Sequence, residues 1–361
     1  MLACLSAAGY VRAEPEVLQP APVFLNLSGE DIRGRIFLTS DASGAEFCLR
    51  PEYTIPVCRD YLASPGAGQI ANFSYQGPVF RQRAKGRIEF YQAGIESFGR
   101  KDREAADAEI FTTALAAAEA AGETGLRVRM GDAGLLTQFL EKLDINRFWL
   151  RRIRRGIMRH EPLDAVFAPS TIAGKTTDHS GVLAALEGVD RRGAQALVED
   201  LLSIAGISSV GGRSASDIAE RFLEQSSVKM DANFSAEKRQ LIESYLQVSG
   251  DPDRASTEIR ILASDAGLDI NREIDDFDAR TGFLAARGYD VASIEFSGAF
   301  ARNLDYYTGF VFEAYQQGET RAPLVGGGRY DGLLKALGAT DDIPAVGAAI
   351  WCDRLSGGGA S

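Results

Sequence analysis

Short apolar and β-branched runs, broken by turn-forming residues, fill the first third of the chain. Ile36 to Thr39 and Glu46 to Arg50 flank the turn residues Asp41 to Gly44, the pattern of a β-hairpin. Tyr75 to Arg83 and Arg87 to Ile95 form a second pair around Ala84 to Gly86. Asp102 then stands where a helix N-cap belongs. Ala106, Ile110, Ala114 and Ala118 recur on one helical face behind it, and Gly122 ends the segment. Leu126 to Met130 alternates as a strand, and a helical pattern resumes at Leu135. If Ile145 to Arg159 is helical, Arg147, Arg151, Arg154, Arg155 and Arg159 share one face, which is either a solvated surface or a grip for an anion or an acidic partner.

Between residues 170 and 288 strand signals vanish, and helix-length segments are punctuated by glycines such as Gly206, Gly250, Gly267 and Gly288. Strand patterns return at Ala292 to Ser297, Tyr306 to Tyr315 and Ala345 to Trp351. The expectation is an α+β fold. Residues 1–169 and 289–361 build one antiparallel sheet flanked by helices, and residues 170–288 form an inserted, mostly helical unit.

Composition narrows the function classes. With 361 residues, 45% apolar and 25% charged, the chain has material for one large core and a smaller unit. No run approaches the roughly 20 apolar residues of a membrane span, and the apolar start from Met1 to Gly9 lacks a basic flank, so a cytoplasmic protein is expected. The net charge of −11 opposes nucleic acid except through a local basic patch. Cys4, Cys48, Cys58 and Cys352 are scattered and His160 and His179 are the only histidines, so neither a metal site nor a cofactor is expected.

Three clusters carry candidate chemistry. Glu52 and Thr54 follow a strand and, on an extended chain, would lie on one side, able to receive an ammonium group. Phe90, Gln92, Gly94 and Glu96 alternate onto one strand face, offering an amide, a gap and a carboxylate, with Arg81 on the preceding strand. Arg302, Tyr306 and Tyr307 precede the glycine run Gly326 to Gly328, Tyr330, and a last strand leading to Arg354. Alone, each has a structural reading: Glu52 pairs with Arg50, the tyrosines are strand aromatics, and the glycines are a flexible turn.

Together and in this order the fragments resemble the histidyl-tRNA synthetase branch of the class II aminoacyl-tRNA synthetases. The resemblance rests on Leu49 to Thr54, the motif 2 pattern from Gly77 to Gly99, Arg302 to Glu313, and Gly326 to Gly332 leading to motif 3. It covers about the first 165 and the last 75 residues and implies a histidine pocket. Glu52, Thr54 and Gln92 would hold the α-amino group, while Glu96, Tyr307 and Tyr330, with Tyr306 beside them, would surround the imidazole. Arg81 and Arg302 would face the carboxylate.

The sequence also departs from that branch. It stops a few residues past Arg354, where the branch continues into an anticodon-binding domain, so no tRNA is expected. Trp351 and Asn303 stand where the branch has glycine, and the turn between Arg83 and Arg87 is shorter than its ATP-embracing loop. An indole at 351 would fill space beside the adenine site. Arg81, Arg302 and Arg354 nonetheless match signature arginines. A histidine-binding, synthetase-like chain of this kind resembles the regulatory subunits of short-form ATP phosphoribosyltransferase, a likeness extended by Ser28 to Arg33 and Leu49 to Cys58. The resemblance implies no catalytic residues and histidine as a ligand. It further implies a short catalytic subunit as partner and a homodimer within a hetero-octamer, with Met1 to Arg35 at the dimer interface. The alternatives are a truncated histidyl-tRNA synthetase that activates histidine with ATP, and a free-standing histidine sensor.

Overall fold

A computed structural model of the chain describes residues 1–84, 86–159, 161–168, 200, 234–302, 304, 306–319 and 322–355. They divide into two units, Met1–Leu143 with Glu243–Ser361, and Asp144–Ile242.

The first unit is built on nine strands: β1 (Val11–Arg12), β5 (Ala71–Phe80), β6 (Glu89–Phe98), β7 (Arg127–Asp132), β8 (Ser249–Gly250), β9 (Ile294–Ser297), β10 (Phe310–Tyr315), β11 (Val325–Arg329) and β12 (Ala345–Trp351). Their order is β1-β5-β6-β12-β11-β10-β7-β9-β8. The middle of the sheet, from β5 to β7, is antiparallel as expected, but β1 joins β5 and β9 joins β7 in parallel. A small antiparallel sheet of β2 (Leu18–Pro20), β4 (Glu46–Leu49) and β3 (Leu38–Ser40) contains the expected first hairpin.

Two sequence readings change here. The glycine run is not a turn: Gly326 to Gly328 lie inside β11, buried at the centre of the sheet. A Cβ on Gly326 would come within 2.6 Å of the Arg302 guanidinium, and one on Gly328 within 3.0 Å of the Tyr307 ring. The bare backbone therefore lets both side chains lie flat on one face of β11. Tyr306 and Tyr307 are likewise not strand residues, because β10 begins at Phe310.

On the other face packs α5 (Arg103–Glu119), whose Ala106, Ile110, Ala114 and Ala118 are buried as their spacing predicts. Asp102 does occupy the N-cap position, yet its carboxylate pairs with Arg100 rather than with the helix backbone. Two further helices, Pro252–Asp265 and Asn271–Ala286, also belong to this unit, contrary to the expected 170–288 insertion. The physical reason is a buried ion network. Asp107 on α5 accepts from Arg280 of the second of these helices at 2.9 Å and from Arg329 of β11 at 2.9 Å. Arg280 also donates to Asp132 at 2.8 Å, and Asp132 caps the helix Ala133–Lys142 through the N–H groups of Gly134 and Leu135. Asp107 has no solvent exposure, and Arg280 and Arg329 are buried.

The second unit contains the helix Arg147–Met158, opened by the Asn146 side chain accepting from the Trp149 N–H. Trp149, Ile153 and Ile157 are buried while Arg151 and Arg155 are exposed, so the arginines mark the solvent side. Phe234 packs on Trp149 and Phe167 in the same unit. The helical reading of 170–199 and 201–233 falls outside the described residues. Among the described residues no helix is long and apolar enough to cross a membrane.

Candidate functional site

The pairing of β6 with its neighbours creates a hollow on the face opposite α5. Directly opposed residues of an antiparallel pair share a face. Glu96 is opposed by Gly347 of β12, Gly94 by Tyr75 of β5, and Gln92 by Trp351 of β12. Small residues therefore face large ones. A Cβ at Gly347 would sit 1.6 Å from the Glu96 carboxylate, and one at Gly94 would sit 2.3 Å from the Tyr75 hydroxyl. Both glycines are close-approach positions and leave room for functional groups.

Around this floor the structure gathers the residues named from sequence. Glu52, Thr54, Arg81 and Gln92 line the hollow with Arg302, Tyr306, Tyr307 and Tyr330. Glu96 lies beneath them, accepting from the Thr54 hydroxyl at 2.7 Å and from the Tyr330 hydroxyl. All nine candidates thus converge. Tyr75 and Trp351 complete the lining. Sequence reasoning had not placed Tyr75 in the site; its signal was the alternation with Gly77 along β5.

Local geometry corrects one expectation. Glu52 and Thr54 do not sit on an extended chain, because Thr54 is the first residue of α4 (Thr54–Ala63). The Glu52 carboxylate accepts from the backbone N–H groups of Thr54 at 2.6 Å and Ile55 at 2.9 Å, tying it to the helix start. Nor does Glu52 pair with Arg50, whose guanidinium donates to the carbonyls of Pro15 and Pro78 and stacks on Tyr53. Arg81 donates to the Pro51 carbonyl at 2.7 Å. Arg302 donates to Tyr307 Oη at 2.5 Å and to Glu313 at 3.1 Å.

Burial dominates the electrostatics. It pushes Glu96 up to about 8, with Tyr330 and Thr54 opposing as donors and Glu52 adding repulsion. Glu52 is also raised by burial, opposed by the N–H groups of Ile55 and Thr54 and by Arg81. Tyr330 and Tyr75 are raised well above the ordinary phenol value by burial, and Tyr307 rises to about 12, so all three phenols stay protonated donors. The Gln92 amide oxygen and the Trp351 indole N–H are buried without a hydrogen-bond partner among the described residues. Such atoms suit a polar ligand.

The Glu96 shift has a thermodynamic sign. Below the ordinary value of 4.5 both folded and unfolded states hold the proton, and above it the unfolded chain releases the proton first. The stability this group contributes is therefore present in full at acid pH and lost as pH rises to about 8. Melting curves of wild type and Glu96→Gln are expected to diverge in favour of the Gln variant between those pH values. A constant difference would mean the carboxyl titrates normally.

Trp351 closes the side toward the end of β12. The Arg354 guanidinium lies 4.8 Å from its ring centroid and that of Arg302 5.8 Å away, so the indole holds both cations against its faces. The free volume of the hollow is small, about 30 Å³. The site is therefore a narrow hollow closely lined by polar side chains. A larger cavity of about 710 Å³ runs between the helices Pro252–Asp265 and Asn271–Ala286. It is an open groove whose Arg260 is already paired with Asp275 and Asp278, and it holds none of the candidates. Convergent buried polar groups, rather than size, mark the site. Among the described residues no group of three or more His, Cys, Asp or Glu could hold a metal ion.

A profile of the histidyl-tRNA synthetase family matches residues 1–191 and 192–355. The chain is 40% identical over 346 residues to the ATP phosphoribosyltransferase regulatory subunit of Mesorhizobium japonicum, spanning 95% of this chain and 91% of that one. The chain belongs to this family of regulatory subunits. The Brucella anthropi regulatory subunit is 38% identical over the same shares of the two chains. A solved structure titled as an ATP phosphoribosyltransferase regulatory subunit/histidyl-tRNA synthetase, from Bacillus halodurans, superposes with a TM-score of 0.69 at 21% identity, covering 98% of this chain and 76% of that one. The Nostoc histidyl-tRNA synthetase superposes with a TM-score of 0.63 at 18% identity over 98% and 68%. These likenesses establish the synthetase-like fold.

Proposed function

We propose that this chain binds histidine in the hollow above β6 and, as the non-catalytic regulatory subunit, passes its occupancy to the short catalytic subunit of ATP phosphoribosyltransferase. The observation that carries the reading is the buried set Glu96, Thr54 and Tyr330, beside Glu52, Gln92 and Tyr307. A carboxyl and a phenol can satisfy both nitrogens of an imidazole, and a pocket of fixed polar groups rejects ligands that leave them unpaired. The indole of Trp351, with Arg302 and Arg354 lying against it, fills space beside the adenine site that the synthetase resemblance implies, which supports regulation over ligation.

For occupancy to reach the partner, histidine must bind two arrangements of the assembly with different affinities. We place the chain as a homodimer within a hetero-octamer in the cytoplasm. The test is reconstitution: the purified chain mixed with a short catalytic subunit should form a complex and make phosphoribosyl-ATP formation sensitive to histidine. No complex and no change in rate would overturn the reading. Histidine-dependent exchange of pyrophosphate into ATP by the chain alone would instead favour a ligase.

By calorimetry, Glu96→Ala and Tyr307→Phe are each expected to weaken histidine binding by about 1–3 kcal/mol, through loss of bonds to a buried ligand. Unchanged affinity in both would exclude this pocket.

A further inference from the structure

Glu96 has no solvent exposure, and the groups that hold its carboxyl are hydroxyls. Thr54 of α4 donates to one oxygen and Tyr330, just after β11, to the other. From β5 the Tyr75 phenol approaches over Gly94, and from β12 only the bare Gly347 lies beneath. The other titratable groups that act on it are Glu52, Cys58 of α4, Tyr306 and Tyr307. The cations of the hollow are engaged elsewhere, Arg302 with Glu313 and Tyr307, and Arg81 with the Pro51 carbonyl. Among the described residues no arginine or lysine pairs with Glu96. A buried carboxyl without a counter-cation keeps its proton.

We propose that Glu96 and the imidazole of a bound histidine share a single proton, so that the pocket always closes on one proton between the two groups. This deepens the histidine reading and rests on it. With Glu96 titrating near 8 and an imidazole near about 6.5, the empty pocket at neutral pH already holds the proton while the ligand arrives without one. Binding then moves no proton. Above about 8 the pocket must take one up, and below about 6.5 the ligand brings a second that must leave. Affinity is flat between these limits and falls about tenfold per pH unit beyond each. The same count sets selectivity. A lysine or arginine side chain would bring a permanent positive charge to a buried site that has already been neutralised, and is excluded for that reason.

The experiment is calorimetry of histidine binding in two buffers of different ionisation enthalpy, phosphate and Tris, for wild type and Glu96→Gln. The Gln side chain keeps the shape but cannot titrate. The ligand's amino group titrates alike with both proteins, so the difference between them isolates Glu96. Wild type is expected to take up about one more proton per histidine than the variant near pH 9 and none near pH 7, and to lose about tenfold more affinity between those pH values. Should the Gln variant not fold, Tyr330→Phe serves. Removing a donor to the carboxylate form raises Glu96 further, so the high-pH fall in affinity moves to higher pH. Histidine binding with no extra proton uptake near pH 9, or an unmoved fall in Tyr330→Phe, overturns proton sharing and leaves the pocket standing. No histidine binding by wild type at any pH overturns the pocket reading and the proposal together.

Discussion

Asp107→Ala is expected to lower the unfolding free energy by about 3–5 kcal/mol, a large fraction of a typical domain's stability. The carboxylate is fully buried and is shared by two arginines that are themselves buried, Arg280 at 2.9 Å and Arg329 at 2.9 Å. Truncation leaves Arg280 with the Asp132 carboxylate, and Arg329 with the Asp331 carboxylate at 2.8 Å and the Arg103 carbonyl. Two guanidiniums would then lie in a low-dielectric interior with half their compensation gone. Asp107→Asn keeps the shape and one acceptor, so its loss should be smaller. Urea denaturation gives the measurement, and a loss below about 1 kcal/mol for the Ala variant would show the network to be dispensable. The consequence reaches the pocket, because Arg329 precedes Tyr330 and Asp331 accepts from the Ala345 N–H at the start of β12.

The second large effect is expected from Gly347→Ala. A methyl group there would lie 1.6 Å from one Glu96 oxygen and 2.8 Å from the Ile95 carbonyl, far inside contact distance. The backbone of β12 is held on both sides, by β6 and by β11, so the carboxylate must yield rather than the strand. Glu96 would then lose its bonds with Thr54 and Tyr330, and histidine affinity should fall by more than about tenfold, or about 1.4 kcal/mol. Calorimetry on the folded variant decides this, with circular dichroism confirming the fold. Wild-type affinity in a folded Gly347→Ala protein would show that Glu96 lies outside the binding surface.

The contrast between these two sites shows where sequence reading stops. Glu96 was visible in a motif-like stretch, yet the reason it needs a glycine at 347 is the register of β6 with β12, residue 96 opposite 347. Asp107 and Arg280 are 173 residues apart, and no local pattern on the helix Asn271–Ala286 announces that one of its arginines turns inward. Helix texture alone assigned that segment to an insertion. The structure returns it to the main unit, where the buried Arg280 finds its carboxylate partners on α5 and β7. The glycine run was ambiguous on its own for a related reason. Three glycines in a row favour a turn when considered locally, and only the overlying Arg302 and Tyr307 explain them as a strand.

Sequence by itself determined what is periodic or short-range: the β5 and β6 pair, the alternation that aims Gln92 and Glu96 to one side, and helix α5, while the resemblance named the nine candidates that the fold brings together. Tertiary structure decided what depends on distant segments meeting. It set Glu52 against the first turn of α4, seated Glu96 among hydroxyls, and closed the hollow with Trp351, against whose ring two arginines lie. Hydrophobic period is a property of neighbours along the chain, whereas burial, and the proton affinity it imposes, belongs to groups brought together from both ends of it.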